Sequence, residues 1–442
     1  MLLMDQLLDL AATPREAFSA PASTLARFSF LDWMACGLAG RQEPVAKKLR
    51  TLAQVEAGRP VASIFGGVGA PARMAALVNG ATSHALDYDD THFAHVGHLS
   101  VAIYPAALAV AEELNASAGD TMAAFLAGAE GSIRLGKLLG RTHYDSGFHQ
   151  TATSGAFGAA LAAGRLYGLD RNQMRVALGL CASRASGLKS QFGTMGKPYN
   201  AGIAAANGVE CATLARLGFT SADDGLTGPQ GFVVTHTQNA QDADPSRDFL
   251  FEDNKYKLHA CCHGTHAMIE ALLIAPVKLP LALDAVKSVN LRVNPRWLSV
   301  CDIKAPRTGL EVKFSYAWLA GMVLRGDRTE DDRMYADALA IDAELSKFAR
   351  RVEVIGDENV TDLQAAGILS LKDGREIPFC YDLAGSIPEE VLAHRLRLKA
   401  EAMLGDEGAA LWDMANELES QSARAIGARL GHGASNHAGA EG

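Results

Sequence analysis

The sequence predicts a mainly α protein, with a large all-helical domain and a smaller α+β domain. Three observations carry this. From Pro21 to about Leu217, large apolar residues recur every three or four positions, the period of a helix facing a core. After about Tyr256 the texture changes. Ala285–Val293 (AVKSVNLRV) and Arg351–Ile355 (RVEVI) alternate apolar and polar residues, the period of a half-exposed strand. The chain's 442 residues also suffice for two or three domains at roughly 150 residues each.

In chain order, Thr24–Cys36 is the first strongly periodic helix. Val61–Phe65 followed by Gly67-Val-Gly-Ala-Pro-Ala72 imitates a strand and a GxGxxA dinucleotide turn. A dinucleotide fold needs βαβ on both sides, and the segments that follow are helical, so we read a structural turn. Thr121–Leu139 is helical, with Asp120 as its N-cap and Gly140 closing it. Gly155–Leu166 and Ala201–Ala215 are built from Ala and Gly, which lets neighbouring helix backbones approach closely. In the second part, Ala366–Leu371 and Ile377–Asp382 flank an Asp-Gly hairpin turn, and helical segments sit between the strands, for example around Met334 to Lys347. From Glu389 the chain is helical again. The expected organisation is a helical domain over 1–256, with 396–442 returning to it, and an α+β domain over 257–395. His432–Gly442 reads as a frayed tail.

Composition removes several functions. At 48% apolar the chain has ample core, so disorder is excluded. No apolar run approaches the ~18 to 20 residues of a membrane span, and the longest, Val101–Ala111, contains Pro105. The start (Met1-Leu-Leu-Met-Asp5) is acidic where a secretory leader is basic. Seven cysteines without a CxxC pair read as reduced thiols in the cytoplasm. With 50 acidic against 41 basic side chains, no basic stripe awaits nucleic acid. A small anionic substrate stays compatible, because a pocket can gather a few cations locally.

Nine of the 13 histidines fall in two windows, between His84 and His149 and between His259 and His266. The densest stretch, HALDYDDTHFAHVGHLS from His84 to Ser100, carries three aspartates, a threonine and four histidines between two apolar helices. Histidine is the usual acid or base near neutral pH. His92, His95 and His98 repeat every third residue beside Asp87, Asp89 and Asp90, so a divalent metal, as in a helical metallohydrolase, is an alternative. A three-residue repeat drifts around a helix, Gly97 interrupts it, and no HExxH occurs. Further candidates are His149 at the start of one small-residue helix, Lys197 just before another, and His259, His263 and His266 ahead of an apolar helix.

Five ordered segments together resemble the MmgE/PrpD family: HALDYDDTHFAHVGHLS, GFHQTATSGAFGAALAAGRLYGLD, GTMGKPYNAGIAAANG, CCHGTHAMIEA and TGLEVKFSYAW. That family includes 2-methylcitrate dehydratase, cis-aconitate decarboxylase and iminodisuccinate epimerase. The resemblance implies a helical domain, an α+β lid, an active site at their junction, a homodimer, and no metal or organic cofactor. Carried over by position, the pocket would hold Asp87, Thr91, His98, His149, Lys197 and His266 as catalytic residues, with His95, His263 and Tyr316 beside the substrate. The chain departs from the family's pattern at Leu99, where proline is common, at Asn200, where a histidine often stands, and at Trp318, where the decarboxylase has tyrosine.

The reactions of that family share one difficulty, a carbanion beside a carboxylate. Without a metal, cationic and hydrogen-bonding groups must meet that charge in a dry pocket. The expected reaction is dehydration of a small hydroxy di- or tricarboxylate. His149 or Asp87 takes the α-proton, His98 or His266 protonates the leaving hydroxyl, and Lys197 and Thr91 hold a carboxylate. Epimerisation and decarboxylation start from the same residue types. The readings from other classes are the metallohydrolase and a non-catalytic dimeric scaffold.

Overall fold

A computed structural model of the chain describes residues 3–244, 246 and 248–431. The expected frayed tail, 432–442, lies outside the described residues. The chain divides into two compact units, one of residues up to Tyr256 together with those from Leu404, the other of Lys257–Met403. The helix Glu389–Leu404 is continuous through 396, so the division falls at its end.

Nine helices build most of the first unit: α1 (Leu3–Ala12), α2 (Ala20–Gly40), α3 (Pro44–Glu56), α4 (Ala72–Ser83), α5 (Ser100–Leu114), α6 (Ala118–Asp145), α7 (Gln150–Leu166), α8 (Arg171–Arg184) and α9 (Gly196–Arg216). The small-residue helices explain the packing. α7 lies against α6 and α9, and α9 lies against α4. A methyl group on Gly202 of α9 would sit 2.3 Å from the Leu77 carbonyl oxygen of α4, so only glycine permits that approach. Gly128 of α6 and Gly158 of α7 abut in the same way, each against the other's carbonyl. The α4–α9 and α7–α9 contacts fix the starts of α7 and α9, which carry His149 and Lys197.

Two expectations are corrected in α6. Its N-cap is Ser117, whose hydroxyl accepts the Asp120 N–H, so Asp120 lies within the first turn. Helical hydrogen bonding continues to Asp145, yet Gly140 adopts φ 64 and kinks the helix where closure was expected. The GxGxxA segment forms an isolated bridge between Ala62 and Ala70 ahead of α4, a turn as read. The C-terminal segment is anchored on the far end of α5. Ser63 donates its N–H and hydroxyl to the Glu112 carboxyl, Arg424 donates to the Glu112 carbonyl, and Gly427 leaves room for that side chain.

The second unit holds a four-stranded sheet: β1 (Val286–Val293), β2 (Val352–Gly356), β3 (Gln364–Leu371) and β4 (Glu376–Asp382). The order is β2-β1-β3-β4, with β1 and β2 parallel and the other pairs antiparallel. Val289, Leu291 and Val293 of β1 are buried in alternation, as are Ile377 and Phe379 of β4. The helix His266–Leu273 packs on β3, on β4 and on the helix Tyr316–Arg325. The helical segments expected around Met334 to Lys347 are a 3-10 turn at Asp332–Met334 and short helices at Asp337–Ala340 and Ala343–Ala349, the last capped by Asp342. The seven cysteines, all among the described residues, form no disulfide.

Candidate active site

The acidic, histidine-rich stretch is the loop between α4 and α5, and buried polar bonds close it. Asp90 accepts the N–H and hydroxyl of Ser100 and the amide of Asn254. Thr91 and Lys255 exchange main-chain hydrogen bonds. With its ends tied, the loop holds Asp87 at φ 52, a left-handed conformation uncommon for a residue with a side chain.

This geometry gathers a charged cluster. Lys197 Nζ lies 2.6 Å from Asp87 Oδ2, and His98 Nε2 lies 3.6 Å from Asp87 Oδ1. On its other side, His98 Nδ1 is 2.7 Å from Asp89 Oδ2, while His84 Nδ1 is 2.8 Å from Asp89 Oδ1. One fully buried carboxylate thus serves two imidazoles whose ring centres are 4.5 Å apart. Burial alone would raise the Asp89 carboxyl. The charges of and hydrogen bonds with His84 and His98 overcome it and hold that carboxyl well below the usual range.

His149 stands at the N-cap of α7, with its ring 6.1 Å from that of His84 and its edge against the Phe192 ring at 5.0 Å. The Lys197 ammonium lies 5.4 Å from the same Phe192 ring. Burial, with His84, Lys197 and His98 adding like charge, pushes the His149 imidazole well below its ordinary value, against a weaker pull from Asp87. His149 is therefore uncharged near neutral pH. Its Nδ1 faces the amide nitrogen of Asn200 at 3.2 Å, and the same nitrogen donates to the Leu188 carbonyl at 3.2 Å.

Asp87, His98, His149 and Lys197 are thus brought together, and Thr91 lies in the same loop, half-buried. His95 is engaged elsewhere. Its Nε2 meets the hydroxyls of Ser154 and Ser132 at 2.7 and 3.0 Å, and burial pushes it down to about 3, so it sits as a neutral ring between α6 and α7. His92 bonds the Leu250 carbonyl. The every-third-residue trio therefore does not converge on one ion. A different group, His84, Asp87, Asp89 and His98, has ligand atoms within 4.8 Å of one another and suits a divalent ion by donor type. Lys197 competes for Asp87 there.

The second unit carries its own constellation. His266 is buried, bonds the Cys261 main chain, and has an Nε2 without a hydrogen-bond partner. Burial first, then His263, His259 and Lys257, push it well below its ordinary value. His263 lies 4.6 Å from it, ring to ring. His259 bridges Thr329 and Glu270, and Glu270 in turn meets Arg395 at 2.5 Å. The Tyr316 hydroxyl donates to the Gly264 carbonyl at 2.8 Å and so shapes the histidine turn.

Comparison with known proteins decides the family. The MmgE/PrpD N-terminal domain matches residues 10–244, and the MmgE/PrpD C-terminal domain matches residues 259–377. The chain belongs to the MmgE/PrpD family. Among curated relatives, cis-aconitate decarboxylase of Aspergillus terreus is 29% identical over 287 residues, 60% of this chain and 58% of that protein. The cis-aconitate decarboxylase-like protein oryM of Aspergillus oryzae is 28% identical over 277 residues, 57% of each chain. The human cis-aconitate decarboxylase is 28% identical over 321 residues, 68% of this chain and 65% of that protein. The matched region spans less than two thirds of these relatives' length. No helix among the described residues is long and apolar enough to cross a membrane.

Sequence reasoning passed over four residues of this MmgE/PrpD chain. His84 and Asp89 were visible as members of the acidic loop, but not as partners of each other. Lys257, a lysine only 3% exposed, precedes His259 and passed as part of a histidine motif. Phe192 carried no motif at all.

Proposed function

We propose that this protein is a lyase that dehydrates a small hydroxy di- or tricarboxylate through α-proton abstraction, as a 2-methylcitrate dehydratase does. The observation that carries the reading is the contact of Lys197, Asp87 and His98 in one cluster backed by Asp89. A substrate carboxylate takes the Lys197 ammonium, which releases Asp87 to remove the α-proton. The electrons of that C–H bond form the alkene as the β-hydroxyl leaves. His98, which lies between Asp87 and Asp89, gives the hydroxyl its proton, and water departs. His266, neutral and with an open Nε2, is the second unit's candidate for a proton-transfer role. Assembly as a homodimer and a cytoplasmic home belong to the same proposal, on the strength of the family.

A second reading is decarboxylation of a cis-aconitate-like acid, which the names of the relatives favour. The cluster would then protonate the carbanion left by loss of CO2. The deciding experiment incubates the protein in D2O with a panel of citrate-like hydroxy acids and cis-aconitate. New alkene absorbance with retained carbon count supports dehydration. CO2 release replaces it with decarboxylation, and deuterium exchange alone with epimerisation. A folded protein that neither turns over nor exchanges any of them overturns the lyase reading.

A further inference from the structure

We propose that Asn200 is a positioning residue that locks His149 with its proton on Nε2, making it a neutral hydrogen-bond donor instead of the base. The inference deepens the lyase reading and rests on it for its catalytic meaning; the proton's position is a property of the folded chain alone.

The argument begins with the Asn200 amide, which is 3% exposed and cannot turn to water. Its nitrogen lies 3.2 Å from the Leu188 carbonyl oxygen, which can only accept. Turning the amide over would set two oxygens against each other. The orientation is therefore fixed, and the second amide hydrogen points at His149 Nδ1, also 3.2 Å away. An Nδ1 that accepts leaves the proton of a neutral ring on Nε2. The peptide around Leu188 is held from a second direction, since the His149 N–H donates to the Gly187 carbonyl at 3.0 Å. Gly187 sits at φ 127, and a methyl there would lie 2.4 Å from the Ala152 side chain. Three tethers thus keep Asn200, Leu188 and His149 in register.

The ring must also stay uncharged for the lock to matter. The charged and titratable groups that face it are His84, His98 and Asp87 of the acidic loop and Lys197 of α9; with burial, their balance disfavours an imidazolium. A neutral Nε2–H cannot take the α-proton. It donates to a carboxylate oxygen as charge grows there, beside the Lys197 ammonium, which leaves proton removal to Asp87.

Histidine-selective 15N labelling of the full-length protein tests this, with long-range 15N–1H correlation and assignment by His149→Gln. The expected spectrum shows His149 as the neutral Nε2–H form from about pH 6 to 9. In Asn200→Asp the carboxylate draws the proton to Nδ1, and the ring begins to titrate within that range. There kcat/KM should fall by about 10²- to 10⁴-fold and gain a new pH-dependent limb. An Nδ1–H signal in the parent protein overturns the proposal, whatever the variant does. A parent that shows Nε2–H but turns over no polycarboxylate upholds the lock and removes the lyase reading. A parent that turns over with Nδ1–H does the reverse.

Discussion

Lys197 meets a carboxylate whose own backbone is held in a left-handed conformation, so the ammonium and Asp87 are placed by the fold and not by chance encounter of flexible side chains. Lys197→Ala is expected to lower kcat/KM by about 10²- to 10⁴-fold while leaving the fold intact, read by turnover and by circular dichroism. Turnover within threefold of the parent would remove Lys197 from the mechanism. At this scale the sequence was informative where residue type and motif coincide: Asp87, His98, His149 and Lys197 were all named from their segments. It failed where a partner comes from a distant segment. His95 looked like its neighbours, but Ser132 of α6 and Ser154 of α7 claim it, and neither is near it in the chain. The opposite holds for His84 and Asp89, which are five residues apart and still could not be paired without the loop's path.

The helices were legible because small residues announce close packing, and the Ala/Gly runs proved to be α7 and α9. Gly202→Ala puts a carbon 2.3 Å from a main-chain oxygen of α4, where no side chain can yield. It should destabilise the protein by about 1–3 kcal/mol, seen in the denaturant midpoint. Since α9 also carries Lys197, KM should rise with it. An unchanged midpoint would mean that α4 and α9 are free to part. Helix ends were harder to read. Ser117 and Asp120 both suit an N-cap by type, and hydrogen-bond direction alone selects Ser117. Around Met334 to Lys347 helical segments were expected, and Asp342 marks where the last of them starts.

Across the whole molecule, buried titratable groups set how stability follows pH. Burial holds His92 and His143 at about 4 and His95 at about 3. The unfolded chain binds protons at these sites from about pH 6.5 downward, while the native chain does not. Their contribution is full above about 6.5 and fades as pH falls toward 4. Glu112, raised by burial to about 7, has the opposite sign: its contribution is full below about 4.3 and fades as pH climbs through 7. The depressed histidines, with His149 and His266 among them, outnumber the raised carboxyls Glu112, Asp90 and Glu130, so thermal midpoints should drop between pH 6.5 and 4, and Glu112→Gln should flatten the neutral side. Equal midpoints at pH 7 and 5 would refute this. The donor set of His84, Asp87, Asp89 and His98 gives a separate test. Turnover should survive exhaustive chelation, and stoichiometric metal with chelator-sensitive turnover would move the chemistry to that ion.

On the proposed reading, the ion pair between Lys197 and Asp87 makes this cluster an exchange counter: an arriving anion gains the ammonium only by evicting its resident partner. Ground-state affinity is thereby kept low, and the evicted carboxylate is set loose at the moment of need. Asp87→Asn should separate the two effects, holding a non-reacting tricarboxylate more tightly than the parent in calorimetry while turning over substrate far more slowly. Weaker binding by that variant would mean that the resident carboxylate was never a competitor.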